Sequence, residues 1–399
     1  MPDLLNTASS SSESKVPPPA GGGGGGLGLG LTIVFTVTTD LSYDQRMIRI
    51  CTSLANAGYT VTLVGRKLNS SIPLSNQPFK QKRIACLFEK GKLFYAEYNI
   101  RLFFYLLFKK MDCIGAIDLD TILPCYFISI IKKTKRIYDA HELFCEMKEI
   151  ITRPGIYKIW KRIERFTVPK FSNGYTVNQP IAEEFTKMYG VHYEVIRNIA
   201  LLREIVPAEK KEKFMLYQGA VNEGRSFETL IPAFKNINCK LIICGDGNFM
   251  QQAKQLVAAN NLEDKVIFKG KIKPDELAVI TQQAYIGITL FDDKGLSNYY
   301  SLANRFFDYL HAGIPQLCVN YPVYSQINNQ LPIALLIDDI SSTNLATQLN
   351  NLLVNEVLYN ELQQNSLKLR QTLNWQHEEI KLIAFYKDIF NRNEKEKQS

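Results

Sequence analysis

From residue 31 onward, short apolar runs alternate with longer amphipathic segments. Strands buried in a parallel sheet give continuous apolar runs, and the crossover helices between them give the longer segments. A helix is predicted at 43–57, where Gly58 ends it. The strands predicted in the first half lie at 31–37, 59–64, 113–117, 136–138, 174–177 and 193–196. This alternation predicts an α/β fold with a doubly wound parallel sheet.

A break in the pattern at 199–213 divides the chain. Pro207 and the charged run that follows it are typical of a linker between domains. The alternation then restarts, with strands predicted at 214–218, 240–244, 265–268, 285–290, 316–319 and 334–336. We therefore expect two Rossmann-like domains, 31–198 and 214–373, that face each other across a ligand-binding cleft. Residues 374–399 are predicted as a C-terminal helix, for which we also consider a return to the first domain.

Residues 1–30 differ in composition from the rest of the chain. They are rich in Ser, Pro and Gly, and such a segment buries too little surface to offset the entropy of ordering, so a disordered tail is predicted. The glycines at 26–30 could form a phosphate-binding turn, but that turn follows a strand and these glycines precede the first one. No signal peptide is predicted, and no run reaches the roughly 18 apolar residues of a membrane-spanning helix.

The formal net charge of +8 is unevenly distributed. Residues 31–200 contain 25 basic and 15 acidic side chains, whereas residues 201–399 contain 21 and 22. The positive excess belongs to the first half alone, and we expect no nucleic-acid partner. The eight cysteines form no C-x-x-C pair and lie mostly in apolar runs, which favours reduced core residues in a cytoplasmic protein over disulfides or zinc.

The segment 298–315 carries the most informative chemistry. A loop ends near Ser301, the predicted N-cap of a helix whose first backbone N–H groups would point at an anion. Arg305 adds a fork of donors there, and a carboxylate one turn later, at Asp308, suits two neighbouring hydroxyls such as those of a ribose. An ordinary amphipathic helix with a solvated Arg and Asp is the alternative. The amides that would face the anion are those of Leu302, Ala303, Asn304 and Arg305.

At these residues the sequence resembles retaining, nucleotide-sugar-dependent glycosyltransferases of the GT-B fold, in particular glycosyltransferase family 4. That family has two acidic residues eight positions apart, followed by an Ala-Gly-x-Pro turn. Asp308 matches the second acidic residue and 312–315 match the turn, whereas Tyr300 stands at the first acidic position. The resemblance implies that Asp308 binds the ribose hydroxyls of the donor and that the amides of 302–305 bind its diphosphate. Asn298 or Tyr300 would replace the missing carboxylate at the donor sugar.

A second block, at 217–225, agrees with this resemblance. Gly219 lies in the turn between a strand and a helix, and Arg225 matches the basic residue that holds the donor diphosphate in the family. Ala220 stands where many members have a further arginine. A solvated loop arginine is the alternative for Arg225. By the same resemblance, backbone groups near Ile272 contact the nucleobase of the donor.

Two segments of the first half also follow predicted strands. Asp44 and Arg46 lie where the family builds one wall of the cleft, on the acceptor side. His141, with Glu142 beside it on the acceptor side, comes directly after another strand. The resemblance places His141 near the donor sugar, where it orients a hydroxyl or stabilises charge. A structural histidine bonded to Asp139 or Glu142 is the alternative.

Asp118 and Asp120 have the spacing of a D-x-D metal motif. That motif belongs to the other major glycosyltransferase fold, and acidic residues at this place suit the start of a helix. We therefore expect no metal site and no cofactor other than the nucleotide-sugar donor as co-substrate.

The resemblance implies a glycosyltransferase of polysaccharide biosynthesis that moves a hexosyl unit from a UDP- or GDP-sugar to a glycan or lipid-linked saccharide, with retention of anomeric configuration. Its catalytic residues would be His141, Arg225 and Arg305. Two alternatives stay open: a nucleotide-sugar 2-epimerase of the same fold, and a non-catalytic sugar-nucleotide-binding relative. The second alternative is motivated by the departures at Tyr300 and Ala220.

Aromatic and basic residues are interleaved at 92–111. Such a segment suits contact with an anionic membrane surface, where a lipid-linked acceptor would be found. A core helix with basic ends is the alternative. The expected location is therefore the cytoplasm, with peripheral contact to the cytoplasmic face of the membrane as an option.

Overall fold

The computed structural model describes residues 30–205 and 213–398, with side chains described as far as Asn391. The predicted tail, apart from Gly30, and residues 206–212 of the predicted linker lie outside the described residues. Residues 199–205 of the linker contain no helix or strand. The described residues form two parallel sheets with helices between the strands.

The first domain is a seven-stranded sheet in the order β3-β2-β1-β4-β5-β6-β7. Its strands are β1 (Thr32–Thr36), β2 (Thr60–Lys67), β3 (Lys80–Ala85), β4 (Cys113–Ile117), β5 (Lys135–Ala140), β6 (Gly174–Thr176) and β7 (Glu194–Val195). Its helices are α1 (Gln45–Asn56), α2 (Gly91–Leu107), α3 (Ile122–Lys132), α4 (Lys148–Ile151), α5 (Pro154–Thr167) and α6 (Gln179–Tyr189). The central strand β1 pairs in parallel with β2 and β4, so that Phe35 lies opposite Leu63 and Gly115.

Strand β3 was not predicted. Its sequence, KQKRIA, is mostly polar, and Ile84 is its one buried residue. It forms the edge of the sheet, where charged side chains are common because they discourage pairing with other chains. The hydrophobic pattern therefore gave no signal for this strand.

The second domain is a six-stranded parallel sheet in the order β10-β9-β8-β11-β12-β13. Its strands are β8 (Phe214–Gln218), β9 (Lys240–Cys244), β10 (Val266–Gly270), β11 (Ile286–Thr289), β12 (Gln316–Val319) and β13 (Ala334–Ile337). Its helices are α7 (Phe227–Ala233), α8 (Met250–Ala259), α9 (Pro274–Gln283), α10 (Leu296–Tyr299), α11 (Asn304–Ala312), α12 (Pro322–Asn328), α13 (Ser342–Val354) and α14 (Glu356–Leu369). The two doubly wound parallel sheets confirm the predicted fold class.

The C-terminal helix α15 (Trp375–Gln398) packs on the first domain. The indole N–H of Trp375 donates to Ser53 Oγ at 2.9 Å, and the Tyr386 ring meets Phe35 edge-on with ring centroids 6.1 Å apart. Trp375 and Tyr386 are fully buried, so the end of the chain contributes to the core of the first domain. Helix α15 thus joins the two domains a second time.

All eight cysteines are free thiols, and six of them are buried, as the sequence indicates. Among residues 30–205 and 213–398, no helix combines the length and the apolar character that crossing a bilayer demands.

Candidate active site

The candidate site lies where the carboxyl ends of the two central strands face each other. In both sheets the strand order changes direction at the central strand, β1 in the first and β8 in the second, and ligands of such sheets bind beyond the strand ends at this point. Polar contacts cross between the domains here. They join Lys148 Nζ to Asp292 Oδ2 at 2.8 Å, Asn178 Nδ2 to the carbonyl of Tyr300 at 2.8 Å, and Asn198 Nδ2 to Asn304 Oδ1 at 2.6 Å.

Two glycines shape the turn at the end of β8. Gly219 has φ +120°, a conformation that side chains disfavour. Gly245 lies in the turn after β9. A Cβ on Gly245 would lie 1.7 Å from the carbonyl oxygen of Gly219, so residue 245 has to be glycine for the turns after β8 and β9 to touch. The turn leaves its backbone beside the Arg305 guanidinium, since a Cβ on Gly219 would be 3.5 Å from Arg305 Nη1.

Arg305 is almost completely buried, with 6% of its surface exposed. Its guanidinium donates to the carbonyl of Leu290 at 3.1 Å and to the Tyr217 hydroxyl at 3.3 Å. It also lies 4.6 Å from the centroids of the Tyr217 and Phe291 rings. Nε of Arg305 is buried without a hydrogen-bond partner among the described residues. The side chain is therefore a positive charge fixed under the Gly219 turn, and not a solvated arginine.

Arg225 lies beside this charge. Its Nη1 donates to Asn298 Oδ1 at 2.8 Å, and its guanidinium lies 4.4 Å from the centroid of the Phe291 ring that Arg305 also contacts. Burial lowers the pKa of Arg225, and the nearby positive charge of Arg305 lowers it further. Two guanidinium groups held this close, in a partly desolvated place, form a site that an anion would stabilise.

The predicted N-cap at Ser301 is wrong. Helix α11 begins at Asn304, and its N-cap residue is Ala303, which has no side chain able to cap. The N–H of Ala303 donates to the Tyr324 hydroxyl at 3.0 Å, so this amide does not face the cleft as predicted. Leu302 is buried, and the amides at the true start of the helix are those of Asn304 and Arg305.

Asp308, one turn into α11, is held by a polar chain that sequence reasoning missed. Its Oδ2 accepts from Gln218 Nε2 at 2.7 Å, and Gln218 Oε1 accepts from Thr281 Oγ1 at 2.7 Å. Burial raises the pKa of Asp308 to about 6, partly offset by Arg49 of the first domain. Gln218 is the last residue of β8, a position at which a strand end is expected to contribute to a site.

Tyr300 and Ile272 lie in two different connections of the second domain. Tyr300 follows α10, and its backbone carbonyl accepts the contact from Asn178 already described. Its ring is partly buried against Tyr299, with centroids 5.3 Å apart. Ile272, in the loop between β10 and α9, is half-buried against the small apolar cluster that includes Leu216.

In the first domain, His141 is held between two carboxylates. Asp118 Oδ2 lies 3.1 Å from its Nδ1, Asp118 Oδ1 accepts its backbone N–H at 3.0 Å, and Asp139 Oδ2 lies 3.4 Å from its Nε2. Burial lowers the pKa of His141, but Asp118 and Asp139 outweigh burial and raise it to about 10. The ring is therefore an imidazolium at neutral pH, with its charge at the cleft end of β5. Its partners are Asp118 and Asp139, and not Glu142.

The structure corrects the acceptor-side position predicted for Arg46. Its guanidinium forms a two-point ion pair with Asp139, at 2.7 and 3.2 Å, and 3% of its surface is exposed. It shares Asp139 with His141 and, because it is buried, does not line the cleft. Asp44 caps α1 by accepting the Met47 N–H at 3.1 Å, so its carboxylate also has a structural role.

Glu142 does reach the domain interface, where it accepts from Ser297 Oγ at 3.4 Å. Burial and then Asp118 raise its pKa to about 7, and the positive charge of Arg225 opposes this rise. Glu142 therefore lies at the domain interface, where its charge interacts with that of Arg225.

The D-x-D pair does not act as one unit. Asp118 binds His141, and it does so with φ 54°, a strained value for a residue other than glycine. Asp120 accepts from the Thr38 hydroxyl. In the part of the chain that the structure describes, no three His, Cys, Asp or Glu side chains are grouped as metal ligands would be.

Residues 198–369 match the family model described as glycosyl transferases group 1. This part of the chain, less than half of its length, is therefore similar to group 1 glycosyl transferases. It includes the Gly219 turn, both arginines and Asp308, which are the residues on which the resemblance to GT-B glycosyltransferases rested. That resemblance is confirmed.

Two curated relatives align with part of this chain. An alpha-monoglucosyldiacylglycerol synthase of Streptococcus pneumoniae is 26% identical over 114 residues, 27% of this chain and 26% of the relative. The O-antigen chain mannosyltransferase RfbU of Salmonella typhimurium is 24% identical over 147 residues, 35% of this chain and 42% of the relative. The alignments thus span less than half of either relative's length.

Solved GT-B structures share the fold of most of this chain. A sucrose-phosphate synthase from Thermosynechococcus elongatus has a TM-score of 0.76 at 17% identity, over 91% of this chain and 100% of that one. Anabaena HepE in complex with UDP-glucose has a TM-score of 0.70 at 10% identity, over 90% and 100%. At these identities the likeness concerns the fold alone.

Proposed function

We propose that the protein is a retaining, metal-independent glycosyltransferase that moves a hexosyl unit from a UDP- or GDP-sugar to a glycan or lipid-linked saccharide. The observation that carries this proposal is the pair Arg225 and Arg305, held around one Phe291 ring in the part of the chain that is similar to group 1 glycosyl transferases. A diphosphate is the part of a nucleotide sugar that such a pair of guanidinium groups would bind.

The donor would extend from this pair along the ends of the second sheet. Its diphosphate would lie at the Gly219 turn and the start of α11, and its ribose hydroxyls at Asp308, whose carboxylate Gln218 orients. Backbone groups near Ile272 would meet the nucleobase. The solved complex of HepE contains UDP-glucose, a donor of this class, in a protein of the same fold.

In the proposed reaction the anomeric C–O bond breaks and its electron pair passes to the leaving diphosphate. The charges of Arg225 and Arg305 are already fixed, so they stabilise this developing negative charge without reorganising. The acceptor oxygen bonds to the anomeric carbon on the face from which the diphosphate departs, and the acceptor's proton passes to a phosphate oxygen. This course retains the anomeric configuration.

His141 would face the donor sugar from the first domain. As an imidazolium anchored by Asp118, it would place a fixed positive charge beside the donor sugar and the diphosphate. Both ends of the Asn298 amide are engaged, with Arg225 and with Asp292. The contact that an acidic residue makes to the donor sugar in the family would therefore fall to Tyr300.

On the acceptor side, we propose that the first domain rests on an anionic membrane surface. Helix α2 buries one stripe of side chains and exposes another, and it packs against α3, which also exposes apolar side chains. The exposed set, here called the α2–α3 face, consists of Leu93, Ile100, Phe104, Phe108, Phe127, Ile130 and Ile131. Lysines lie at the C-terminal ends of both helices: Lys109 and Lys110 after α2, and Lys132 and Lys133 at the end of α3.

The α2–α3 face combines the two features that attract a peripheral protein to anionic lipid, apolar side chains and positive charge. Phe108 is 82% exposed, which is unusual for a large apolar side chain on a water-facing surface. The pneumococcal relative is named for a glycosylated diacylglycerol, which agrees with a lipid-linked acceptor. The proposed location is the cytoplasm, at the cytoplasmic face of the membrane.

The test of the function is to incubate the purified protein with UDP-, GDP- and ADP-sugars, with and without lipid-linked and glycan acceptors, in the presence of a chelator. Acceptor-dependent release of free nucleotide supports the proposal, and the NMR coupling constant at the new anomeric centre checks retention. Epimerised donor would indicate a 2-epimerase instead. Nucleotide binding without turnover would indicate a non-catalytic relative.

A further inference from the structure

A continuous chain of hydrogen bonds runs from the first domain to Arg225. Lys148 Nζ donates to Asp292 Oδ2 at 2.8 Å, and Asp292 Oδ1 accepts from Asn298 Nδ2 at 3.0 Å. Asn298 Oδ1 in turn accepts from Arg225 Nη1 at 2.8 Å. Each link has ordinary hydrogen-bond length, and Asn298 is 9% exposed.

The backbone around this chain is built for close approach. Asp292 N–H donates to the carbonyl of Gly224, the residue before Arg225, at 3.0 Å. Gly224 has φ +81°, and a Cβ there would lie 2.8 Å from Asn298 Nδ2 and 3.2 Å from Asp292 Oδ1. A side chain at 224 would therefore push the two links apart.

The first domain makes its contact at the same place. Lys148 begins α4, and a Cβ on Gly295 would lie 2.7 Å from the carbonyl of Glu146, two residues before it. Gly295 has φ +93°, so residue 295 needs glycine for its conformation as well as for the approach of the two domains. Lys148 and Asp292 are each less than 20% exposed, at 19% and 18%. Their ion pair is thus sheltered from the solvent that weakens surface pairs.

We propose that Lys148 and Asn298 are positioning residues that make the orientation of Arg225 depend on contact between the two domains. This inference rests on the proposed function, because it assigns the oriented guanidinium to the leaving diphosphate. Without Lys148, the Asp292 carboxylate loses the positive charge that holds it, and Asn298 loses its fixed partner. Arg225 is then free to leave the place where charge develops. Arg225 belongs to the second domain, so it can still bind the diphosphate of a nucleotide when the hydrogen-bonded chain to the first domain is broken. Loss of this chain should therefore affect turnover more than nucleotide binding.

The amide and the carboxylate in this chain can be exchanged. In Asn298→Asp two carboxylates would face each other where 3.0 Å now separates Asn298 Nδ2 from Asp292 Oδ1. Adding Asp292→Asn restores one donor and one acceptor at every link, since the amide at position 292 can donate to the carboxylate at position 298 and accept from Lys148. Rescue by the double substitution is a result that a merely structural role for either residue alone would not give.

The experiment compares Lys148→Met, Asn298→Asp and the exchange double variant with wild type, and Lys254→Met, an exposed lysine on α8, is the matched control. Thermal midpoint, affinity for UDP and GDP, and turnover of the active donor are measured on each full-length protein. We expect Lys148→Met to lower kcat by about tenfold or more, the usual effect of losing a hydrogen bond to a charged group. We expect the nucleotide affinity of Lys148→Met to stay within about twofold of wild type. This is the result expected when a substitution removes an interaction that is made only in the transition state.

Asn298→Asp lowers both kcat and the thermal midpoint, and the double variant recovers both. Equal kcat for Lys148→Met and Lys254→Met, or no recovery in the double variant, would overturn the proposal. The thermal midpoints need no donor. If wild type turns over no nucleotide sugar, the proposed function fails, and recovery of the midpoint in the double variant still decides whether the hydrogen-bonded chain exists.

Discussion

Replacing Arg225 by alanine removes one of the two positive charges proposed to meet the leaving diphosphate. A unit charge about 4 Å from the developing charge, at an effective dielectric constant of about 20, contributes about 4 kcal/mol. Removal of one such preorganised donor typically lowers turnover by about 100- to 1000-fold. Arg305 stays in place, held by Leu290 and Tyr217, so we expect the lower end of this range, about 100-fold.

The assay is nucleotide release at saturating donor and acceptor, with Lys254→Ala as the control for an exposed basic residue. Arg225→Lys separates charge from geometry, because lysine keeps the charge and loses the fork that reaches Asn298 and the diphosphate together. Its turnover should lie between those of wild type and Arg225→Ala. The alanine variant also leaves Asn298 Oδ1 without its donor, so its thermal midpoint is recorded to separate folding from catalysis. Turnover of a folded Arg225→Ala within about threefold of wild type would remove Arg225 from the site.

Three further outcomes are expected. Asp308→Asn should weaken the binding of free UDP or GDP by about tenfold in calorimetry, through loss of a charged hydrogen-bond acceptor for the ribose, and an unchanged affinity would reject the ribose assignment. The raised pKa of His141 stabilises the fold fully below its ordinary value of 6.5, and this stabilisation is lost as pH rises toward about 10. Thermal midpoints should therefore fall over that window more in wild type than in Asp118→Asn, and equal slopes would show that Asp118 does not hold the charge. Ile100→Ser together with Phe104→Ser should reduce co-sedimentation with anionic vesicles, whereas Val357→Ser, an equally apolar exposed site on α14, should not; sedimentation that ignores lipid charge would exclude the membrane proposal.

The hydrophobic pattern of the sequence was sufficient to predict the positions of strands that are buried on both faces. The predicted β4 at 113–117, β8 at 214–218 and β12 at 316–319 coincide with the observed strands, because continuous apolar runs are what a covered parallel sheet requires. The edge strand β3 does not need a continuous apolar run, and its sequence does not contain one. The N-cap at Ser301 failed for a related reason: its Oγ lies 3.3 Å from the Tyr324 hydroxyl of α12, a distant contact that outweighs a local propensity.

For the candidate site, spacing along the chain predicted which residues lie at strand ends. It did not predict the direction in which their side chains point. His141 and Arg46 both follow first-domain strands, yet His141 reaches the cleft end while Arg46 turns into the core to pair with Asp139. A pairing between residues 93 positions apart leaves no local signal. The contact between Asp118 and His141 also leaves no local signal in the sequence, because it depends on the pairing of β4 with β5. In the sequence, the spacing of Asp118 and Asp120 instead resembled a metal motif.

The central claim is that the arginine pair serves the transfer of a sugar from a nucleotide donor. Its most direct test is nucleotide release from a panel of UDP-, GDP- and ADP-sugars with lipid-linked and glycan acceptors, in chelator, for wild type and Arg225→Ala side by side. We predict acceptor-dependent release from one UDP- or GDP-sugar by wild type and about 100-fold slower release by the variant. Release from none of the donors, or equal release by both proteins, would contradict the account.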